Sequence, residues 1–314
     1  MKLLLNLKAQ SFLKFWKISN RYLSVRSRHD GCLEPVKLAY ATYEGTMPEQ
    51  ETHQNPFLIM HGLLGSKSNW NTLCKVFQQK TEPSRKVIAI DARNHGDSPH
   101  DPHFSYELLA LDLKNFFENA GIEKACIMGH SMGGRTAMLF ALKYPELVEK
   151  LIVVDISPVS TSSDISVMPG YLHAMNNINI PSNIPLSRAR LAADLQLAES
   201  GITDKGLRAF LLTNLIQNQN GSFVWRVNIP DMLMNFDNIK RFPYEMGTVF
   251  NGPTLFIGGS SSDYIMKKDI PEIKKIFPNS EVKYIEGAGH WLHSEKPSEF
   301  LQITLEFLNG SNTS

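Results

Sequence analysis

The sequence predicts an α/β fold with a mostly parallel, doubly wound sheet and a helical cap insertion. Several short apolar runs lack the alternation of a half-exposed strand, which indicates strands that are buried on both faces. Helical patterns lie between several of these runs, and alternating strands and helices favour a parallel sheet. Between the fourth and fifth runs, a long stretch has helical patterns without a convincing strand, which is typical of an insertion.

The composition is that of an ordinary globular protein. The chain has 314 residues, of which 42% are hydrophobic and 20% charged, so it is neither disordered, collagen-like nor a coiled coil. Its 32 basic and 31 acidic residues are too balanced to act as an electrostatic footprint for nucleic acid. The three cysteines, Cys32, Cys74 and Cys126, form no CxxC pair. They predict neither a disulfide framework nor a thiolate zinc site and favour a reducing compartment.

The first 30 residues differ from the rest in charge. Seven basic residues and no acidic one precede Asp30, and the remaining chain carries 25 basic and 31 acidic residues. Apolar residues mixed with these lysines and arginines can form a basic amphipathic helix, as in mitochondrial transit peptides. We therefore expect residues 1–30 to be a targeting leader and the protein to lie in mitochondria, in the matrix. A peripheral membrane anchor is the alternative, because the apolar run Leu3–Leu5 cannot span a bilayer.

The predicted core comprises residues 33–157 and 248–310. Alternating residues from Val36 to Thr42 indicate an early, half-buried antiparallel strand. The buried strands are then predicted at Phe57–Met60, Val87–Ile90, Ala125–Met128, Leu151–Val154, Thr254–Ile257 and Val282–Ile285. A helical pattern from Leu109 to Ala120 ends at Gly121, where a helix C-terminus is expected.

The predicted cap comprises residues 158–247. Its helical patterns include Leu186–Glu199 and Lys205–Ile216. Apolar residues in the second half of this insertion either line a ligand pocket or form the core of the cap, which is the commoner role for such spacing. They are Trp225, Met232, Met234 and Phe236.

The chemistry centres on the segment Gly129–Gly134, with the sequence GHSMGG. It follows a predicted strand and precedes a helical pattern from Arg135 to Lys143. A Gly-x-Ser-x-Gly motif in this context is a nucleophile elbow, whose glycines permit a turn so sharp that the serine projects above the sheet. A dinucleotide-binding GxGxxG motif does not fit, because Ser131 stands where the second glycine must let a pyrophosphate approach. Ser131 is therefore the candidate nucleophile.

A serine nucleophile needs a base and donors for the oxyanion. His290 follows the last predicted strand, where enzymes with this elbow carry their base, and His293 is its nearest rival. No HExxH arrangement accompanies this pair, so we predict no metal site. The N–H groups of Met132, in the elbow, and Leu63, in the loop after the second strand, are the predicted oxyanion donors. We expect His61 to brace that loop through hydrogen bonds.

Five motifs between residues 57 and 297 together resemble the α/β-hydrolase superfamily, especially its diacylglycerol lipase-like members. They are HGLLGS, DARNHGDSPH, GHSMGGRTAM, VVDISP and GAGHWLHSEKP. The resemblance implies an α/β-hydrolase fold with a small helical cap, and a mitochondrial serine hydrolase that is sn-1-selective for acylglycerols. We expect no metal or organic cofactor. The family also includes bacterial esterases for short acyl esters and thioesters, so these substrates remain alternatives. A non-catalytic ligand-binding protein, or an accessory protein of a mitochondrial enzyme complex, is the alternative from another class.

The acid of the triad has two main candidates. Asp155 directly follows a predicted strand, and the bacterial esterases that this chain resembles use that position. Asp263 lies near the place where most α/β-hydrolases carry the acid, but one residue late in a loop of three serines. Asp231 in the cap is a more remote candidate. We predict the triad Ser131, Asp155 and His290, with Asp263 as the second choice for the acid.

A polar segment, Asp91–Ser98, follows the third predicted strand. Its polar and turn residues are compatible with an active-site loop or a metal cluster. Turn chemistry and the family resemblance favour a structural loop that shapes the floor of the pocket.

Overall fold

The structure is a computed structural model that describes residues 34–44 and 54–310. The predicted leader, residues 1–30, lies outside the described residues, and its targeting role stays a prediction. Within the described ranges, no helix combines the length with the apolar composition that a membrane span requires.

Seven of the nine strands in the described residues form one sheet. The strands are β1 (Tyr40–Tyr43), β2 (Phe57–Met60), β3 (Val87–Ile90), β4 (Ala125–His130), β5 (Val148–Val154), β6 (Leu215–Gln217), β7 (Phe223–Trp225), β8 (Thr254–Gly259) and β9 (Ser280–Ile285). The order in the large sheet is β1-β3-β2-β4-β5-β8-β9. β1 pairs antiparallel with β3, and the other neighbours are parallel. The mostly parallel sheet predicted from the sequence is confirmed.

β1 is shorter than its predicted range. It begins at Tyr40, and Tyr40 and Thr42 lie on its exposed face, whereas Ala41 and Tyr43 are half-buried. An edge strand exposes one side, so alternation indicates a strand here without fixing its first residue.

Helices cover both faces of the sheet. They are α1 (Asn71–Lys80), α2 (Tyr106–Ala120), α3 (Met132–Lys143), α4 (Met168–Asn176), α5 (Leu186–Glu199), α6 (Lys205–Leu212), α7 (Ile229–Met234), α8 (Phe236–Ile239), α9 (Ile270–Ile276), α10 (Leu292–Glu295) and α11 (Pro297–Asn309). Leu58 and Met60 of β2 belong to the apolar layer that includes residues of α2 and α3. Phe57 and Ile59 face the layer of α1 and α11. Both faces are buried, which explains why the strands read as unbroken apolar runs.

The chain between β5 and β8 contains α4 to α8 and the small hairpin β6–β7. The predicted helix Lys205–Ile216 is wrong at its end: it stops at Leu212, and Ile216 belongs to β6. Asn220 and Gly221 lie in the connection between the two strands, where Gly221 has φ +81°. The expectation that the insertion contains no strand is therefore wrong here, although an Asn-Gly pair between two apolar runs is a hairpin signal.

One buried side chain fixes both ends of this insertion to the core. Arg135 of α3 donates hydrogen bonds to the carbonyls of Ser160 (3.0 Å) and Lys240 (2.9 Å). These residues lie near the start and the end of the insertion. Because α3 begins directly after Ser131, the same helix positions the candidate nucleophile and the cap.

Candidate active site

Ser131 occupies a strained turn between β4 and α3. Its φ of +52° and ψ of −116° are rare for a residue with a side chain. The turn is possible because the flanking residues are glycines, which have no Cβ. A Cβ on Gly129 would lie 2.1 Å from the Gly133 carbonyl oxygen, and a Cβ on Gly133 would lie 2.5 Å from the Met60 carbonyl oxygen. Glycine is therefore required at both positions, as the elbow motif predicts. The Ser131 N–H donates to the Val154 carbonyl at 2.9 Å, which fixes the elbow to β5.

Asp155 and His290 form a hydrogen-bonded pair beside this elbow. Asp155 follows β5, is fully buried, and accepts a hydrogen bond at Oδ2 from His290 Nδ1 at 2.8 Å. The N–H of Gly259 donates to its Oδ1 at 3.0 Å, and the Ser262 hydroxyl donates to its Oδ2 at 2.6 Å. Because Nδ1 keeps its hydrogen and donates it in the bond to the carboxylate, the proton acceptor of the ring is Nε2.

His290 and Ser131 line the same cavity. The Tyr264 ring stacks on the imidazole with a centroid separation of 3.9 Å and an interplanar angle of 18°. The Ser131 hydroxyl has no hydrogen-bond partner in the described part of the chain. In such sites the bond from serine to histidine commonly tightens only when substrate binds.

The two other acid candidates have different partners. Asp263 accepts hydrogen bonds from the hydroxyl of Ser162, and from the N–H (3.1 Å) and hydroxyl (3.0 Å) of Ser163. Burial raises the pKa of Asp263, but these hydrogen bonds outweigh that effect and lower it. Asp231 accepts from the Asn228 amide at 2.8 Å. The structure therefore brings Asp155 to His290 and gives Asp263 and Asp231 structural contacts elsewhere.

The loop after β2 presents the candidate oxyanion donor. The N–H of Gly65 donates to the Gly62 carbonyl at 3.0 Å and closes a turn in which Leu64 has φ +62°. Over residues 34–44 and 54–310, the N–H groups of Leu63 and Met132 have no hydrogen-bond partner. Two free backbone donors beside a serine nucleophile are what an oxyanion hole requires.

Two buried histidines brace this loop. His61 Nε2 accepts from the Ala92 N–H at 3.1 Å, so its Nδ1 donates to the carbonyl of the next residue at 2.7 Å. His95 Nε2 accepts from the Leu64 N–H at 3.1 Å, so its Nδ1 donates to the Arg93 carbonyl at 2.9 Å. Burial lowers the pKa of both imidazoles, which keeps each ring neutral in this one tautomer. His61 makes the bracing contacts predicted for it, and His95 holds the segment 91–98 to the same loop.

The cavity has a volume of about 240 Å³ and mostly apolar walls. The cap contributes Met168, Tyr171, Leu207, Phe210, Leu211 and Phe236. Phe236 is thus the one of the four predicted apolar cap residues that lines the cavity. The Trp225 indole N–H donates to the Met175 carbonyl at 2.8 Å, and Met232 is fully buried in the core of the cap. Met234 is 64% exposed, so it neither lines the cavity nor belongs to the core of the cap.

His293 is not placed as the base. Its ring stacks on Trp70 with a centroid separation of 4.4 Å and an interplanar angle of 11°. Burial, helped by the nearby His290, lowers the pKa of His293 to about 3. Within the described ranges, no three His, Cys, Asp or Glu residues are grouped so that they could hold a metal ion.

The chain is similar to known hydrolases over most of its length. Residues 55–297 match the model of the alpha/beta hydrolase fold family. The chain is 44% identical over 274 residues to the sn-1-specific diacylglycerol lipase ABHD11 of Danio rerio, covering 87% of this chain and 83% of that protein. It is 31% identical over 261 residues to the esterase YbfF of Escherichia coli, covering 83% and 96%. The solved structure of a marine microorganism esterase is 38% identical with a TM-score of 0.76, covering 87% and 99%.

Proposed function

The chain belongs to the α/β-hydrolase fold family and is a carboxylic ester hydrolase, and we propose that it cleaves the acyl esters of diacylglycerols through an acyl-enzyme. The observation that carries this proposal is the Asp155–His290 pair beside Ser131 on its strained turn, within an apolar cavity.

Each group has a role in the proposed mechanism. His290 Nε2 takes the proton of Ser131, whose Oγ attacks the acyl carbonyl while Asp155 stabilises the imidazolium that forms. The N–H groups of Leu63 and Met132 hold the oxyanion of the tetrahedral intermediate. The imidazolium gives its proton to the departing glycerol oxygen, and the acyl group remains on Ser131. Water, activated by His290, then attacks the acyl-enzyme and releases the fatty acid.

A lipid ester suits the walls of the cavity. The apolar side chains of α4 and α6 favour a hydrocarbon chain over a polar acyl group. Relatives that are 41–44% identical are named as sn-1-specific diacylglycerol lipases, which supports cleavage at the sn-1 position here.

The first test uses the purified protein and its Ser131→Ala variant. Diacylglycerols with different acyl chains at sn-1 and sn-2 report which position is cleaved, and short-chain esters and acyl thioesters report the alternative substrates. We expect fatty acid release from sn-1 and a loss of about 10⁴- to 10⁶-fold in the variant. Release that Ser131→Ala leaves unchanged would refute the serine mechanism. A preference for short-chain esters or thioesters would refute the lipase assignment but keep the hydrolase.

We also propose that residues 1–30 direct the enzyme to the mitochondrial matrix. The absence of acidic residues among seven basic ones supports this address. Fusing residues 1–30 to a fluorescent protein should send the fusion to mitochondria, and deleting them should leave an active enzyme outside. An active deletion variant that still reaches mitochondria would contradict the proposal.

Association with a mitochondrial enzyme complex is a further proposal that depends on this address. Size-exclusion chromatography of a native mitochondrial extract should then place the protein at a mass well above its own 35.4 kDa. Elution as a free protein would contradict it.

A further inference from the structure

His130 stands between the elbow glycine and the nucleophile, and the mechanism above gives it no role. Its ring is buried and lines the cavity. The ring Nε2 lies 2.9 Å from the backbone carbonyl oxygen of His290. In the described part of the chain, that carbonyl has its hydrogen bond with His130.

The direction of this hydrogen bond follows from its acceptor. A carbonyl oxygen only accepts, so His130 Nε2 carries the proton and donates it. Burial, with the neighbouring His290 and His293 rings, lowers the pKa of His130 well below its usual range, so the ring stays neutral. A neutral ring with a proton on Nε2 has an unprotonated Nδ1.

The other side of the same ring faces the oxyanion loop. A Cβ on Gly62 would lie 2.9 Å from His130 Nδ1 and 3.2 Å from the Cβ of Ser131. The loop that presents the Leu63 N–H therefore packs directly against this imidazole. One ring thus lies between the elbow, the loop of the base and the loop of the oxyanion donor.

His290 itself has few backbone anchors. The two residues before it are anchored: the Ala288 carbonyl accepts a hydrogen bond from the Ser261 N–H (2.9 Å), and the Gly289 N–H donates to Glu295 Oε2 (2.7 Å). Asp155 fixes the ring of His290 through Nδ1, and His130 fixes its backbone.

We propose that His130 is a positioning residue: its Nε2–H holds the His290 backbone so that the imidazole stays aligned with Ser131, while its ring sets the place of the oxyanion loop. The inference rests on the proposed ester hydrolysis. A displacement of about 1 Å in such a constellation costs up to about 100-fold in rate.

The test compares two variants of similar size on one soluble ester. His130→Phe keeps a ring but removes the donor, whereas His130→Gln has an amide nitrogen that reaches the place of Nε2. We expect His130→Phe to lower kcat about 10- to 100-fold with KM within about twofold, and to change the pH dependence of kcat/KM. His130→Gln should recover most of this loss and restore the wild-type profile. Urea unfolding of both variants checks that each is folded.

The outcomes separate this inference from the proposed function. A folded His130→Phe enzyme with wild-type kcat and pH profile would overturn the positioning role, as would equal impairment of His130→Gln. If wild-type Ser131 does not react with a fluorophosphonate probe, the proposed function itself fails. Should both variants be unfolded, ¹⁵N-histidine spectra of the wild type decide. His130 should be the Nε2–H tautomer, and an Nδ1–H tautomer would refute the proposal.

Discussion

Two neighbouring loops at the carboxyl ends of β5 and β8 each carry an aspartate, and the two carboxylates act differently. Asp155 is fully buried in a turn with φ +47° and accepts hydrogen bonds from the side chains of His290 and Ser262. Asp263 is half-buried and accepts from Ser162 and Ser163, where the insertion begins. The first carboxylate binds His290, and the second binds the start of the insertion.

The two carboxylates differ in their hydrogen-bond partners, although both lie in loops at the same edge of the sheet. Ser262, one residue before Asp263, turns toward Asp155, while Asp263 turns toward the start of the cap. The β8 loop therefore contributes the hydroxyl of Ser262 to Asp155, which is the acid in the proposed mechanism. Substitutions at Asp155, Ser262 and Asp263 test this distinction.

Asp155→Asn should lower kcat on a soluble ester by about 10⁴-fold, because an amide neither fixes the tautomer of His290 nor stabilises the imidazolium. Asp263→Asn should stay within about twofold of the wild type, since that side chain does not contact the base. Steady-state kinetics of both variants from parallel preparations test this. The reverse pattern would move the acid to Asp263.

The double variant Asp155→Asn/Ser262→Asp should regain about 30-fold over Asp155→Asn alone. Ser262 Oγ lies 2.6 Å from the carboxylate oxygen that binds His290, so a carboxylate at position 262 comes within reach of the imidazole. The matched control is Asp155→Asn/Ser262→Asn, which should regain nothing. Equal rates for the two double variants would show that position 262 cannot supply the acid.

Ser262→Ala should lower kcat about tenfold, because it removes a charge-assisted hydrogen bond that orients the Asp155 carboxylate. The neighbouring Ser261→Ala is the control, since its side chain makes no described contact with Asp155. Initial rates at saturating ester measure the effect. Wild-type turnover in Ser262→Ala would mean that Gly259 and the buried site orient Asp155 without it.

Asp263→Asn should lower the free energy of unfolding by about 1 kcal/mol or less, because the carboxylate is partly exposed and holds the turn Ser163–Val167. The folded state lowers the pKa of Asp263, so this stabilisation is present above about pH 4 and disappears as the pH falls further. Urea unfolding of wild type and variant at pH 7 and pH 3 should show the difference closing at the lower pH. A constant difference would assign the effect to packing instead of charge.

Local chemistry explains what the sequence could predict. Buried parallel strands appear as apolar runs because both their faces are covered, and the elbow is recognisable because its glycines are sterically required. His290 is recognisable by its place after the last strand. These features depend on a few adjacent residues, so a single sequence contains them.

Side-chain direction across the fold explains what the sequence could not predict. The contacts of Ser262, Tyr264 and His130 with the acid and the base depend on how separate loops meet above the sheet. One of these contacts has a signal in the sequence. Asp263 lies one residue beyond the usual position of the acid, and Ser262 occupies that position. Asn220-Gly221 is a local signal for the hairpin β6–β7, but it lies close to the helical pattern of Lys205–Ile216.

The hydrogen bond between Asp155 and His290 can be observed directly by ¹H NMR, as the low-field imidazole proton that disappears in His290→Ala. We predict that this signal persists unchanged in Asp263→Asn and is lost in Asp155→Asn, because Oδ2 of Asp155 accepts the proton of Nδ1. Loss of the signal in Asp263→Asn, with its survival in Asp155→Asn, would contradict the assignment of Asp155 as the acid of the triad.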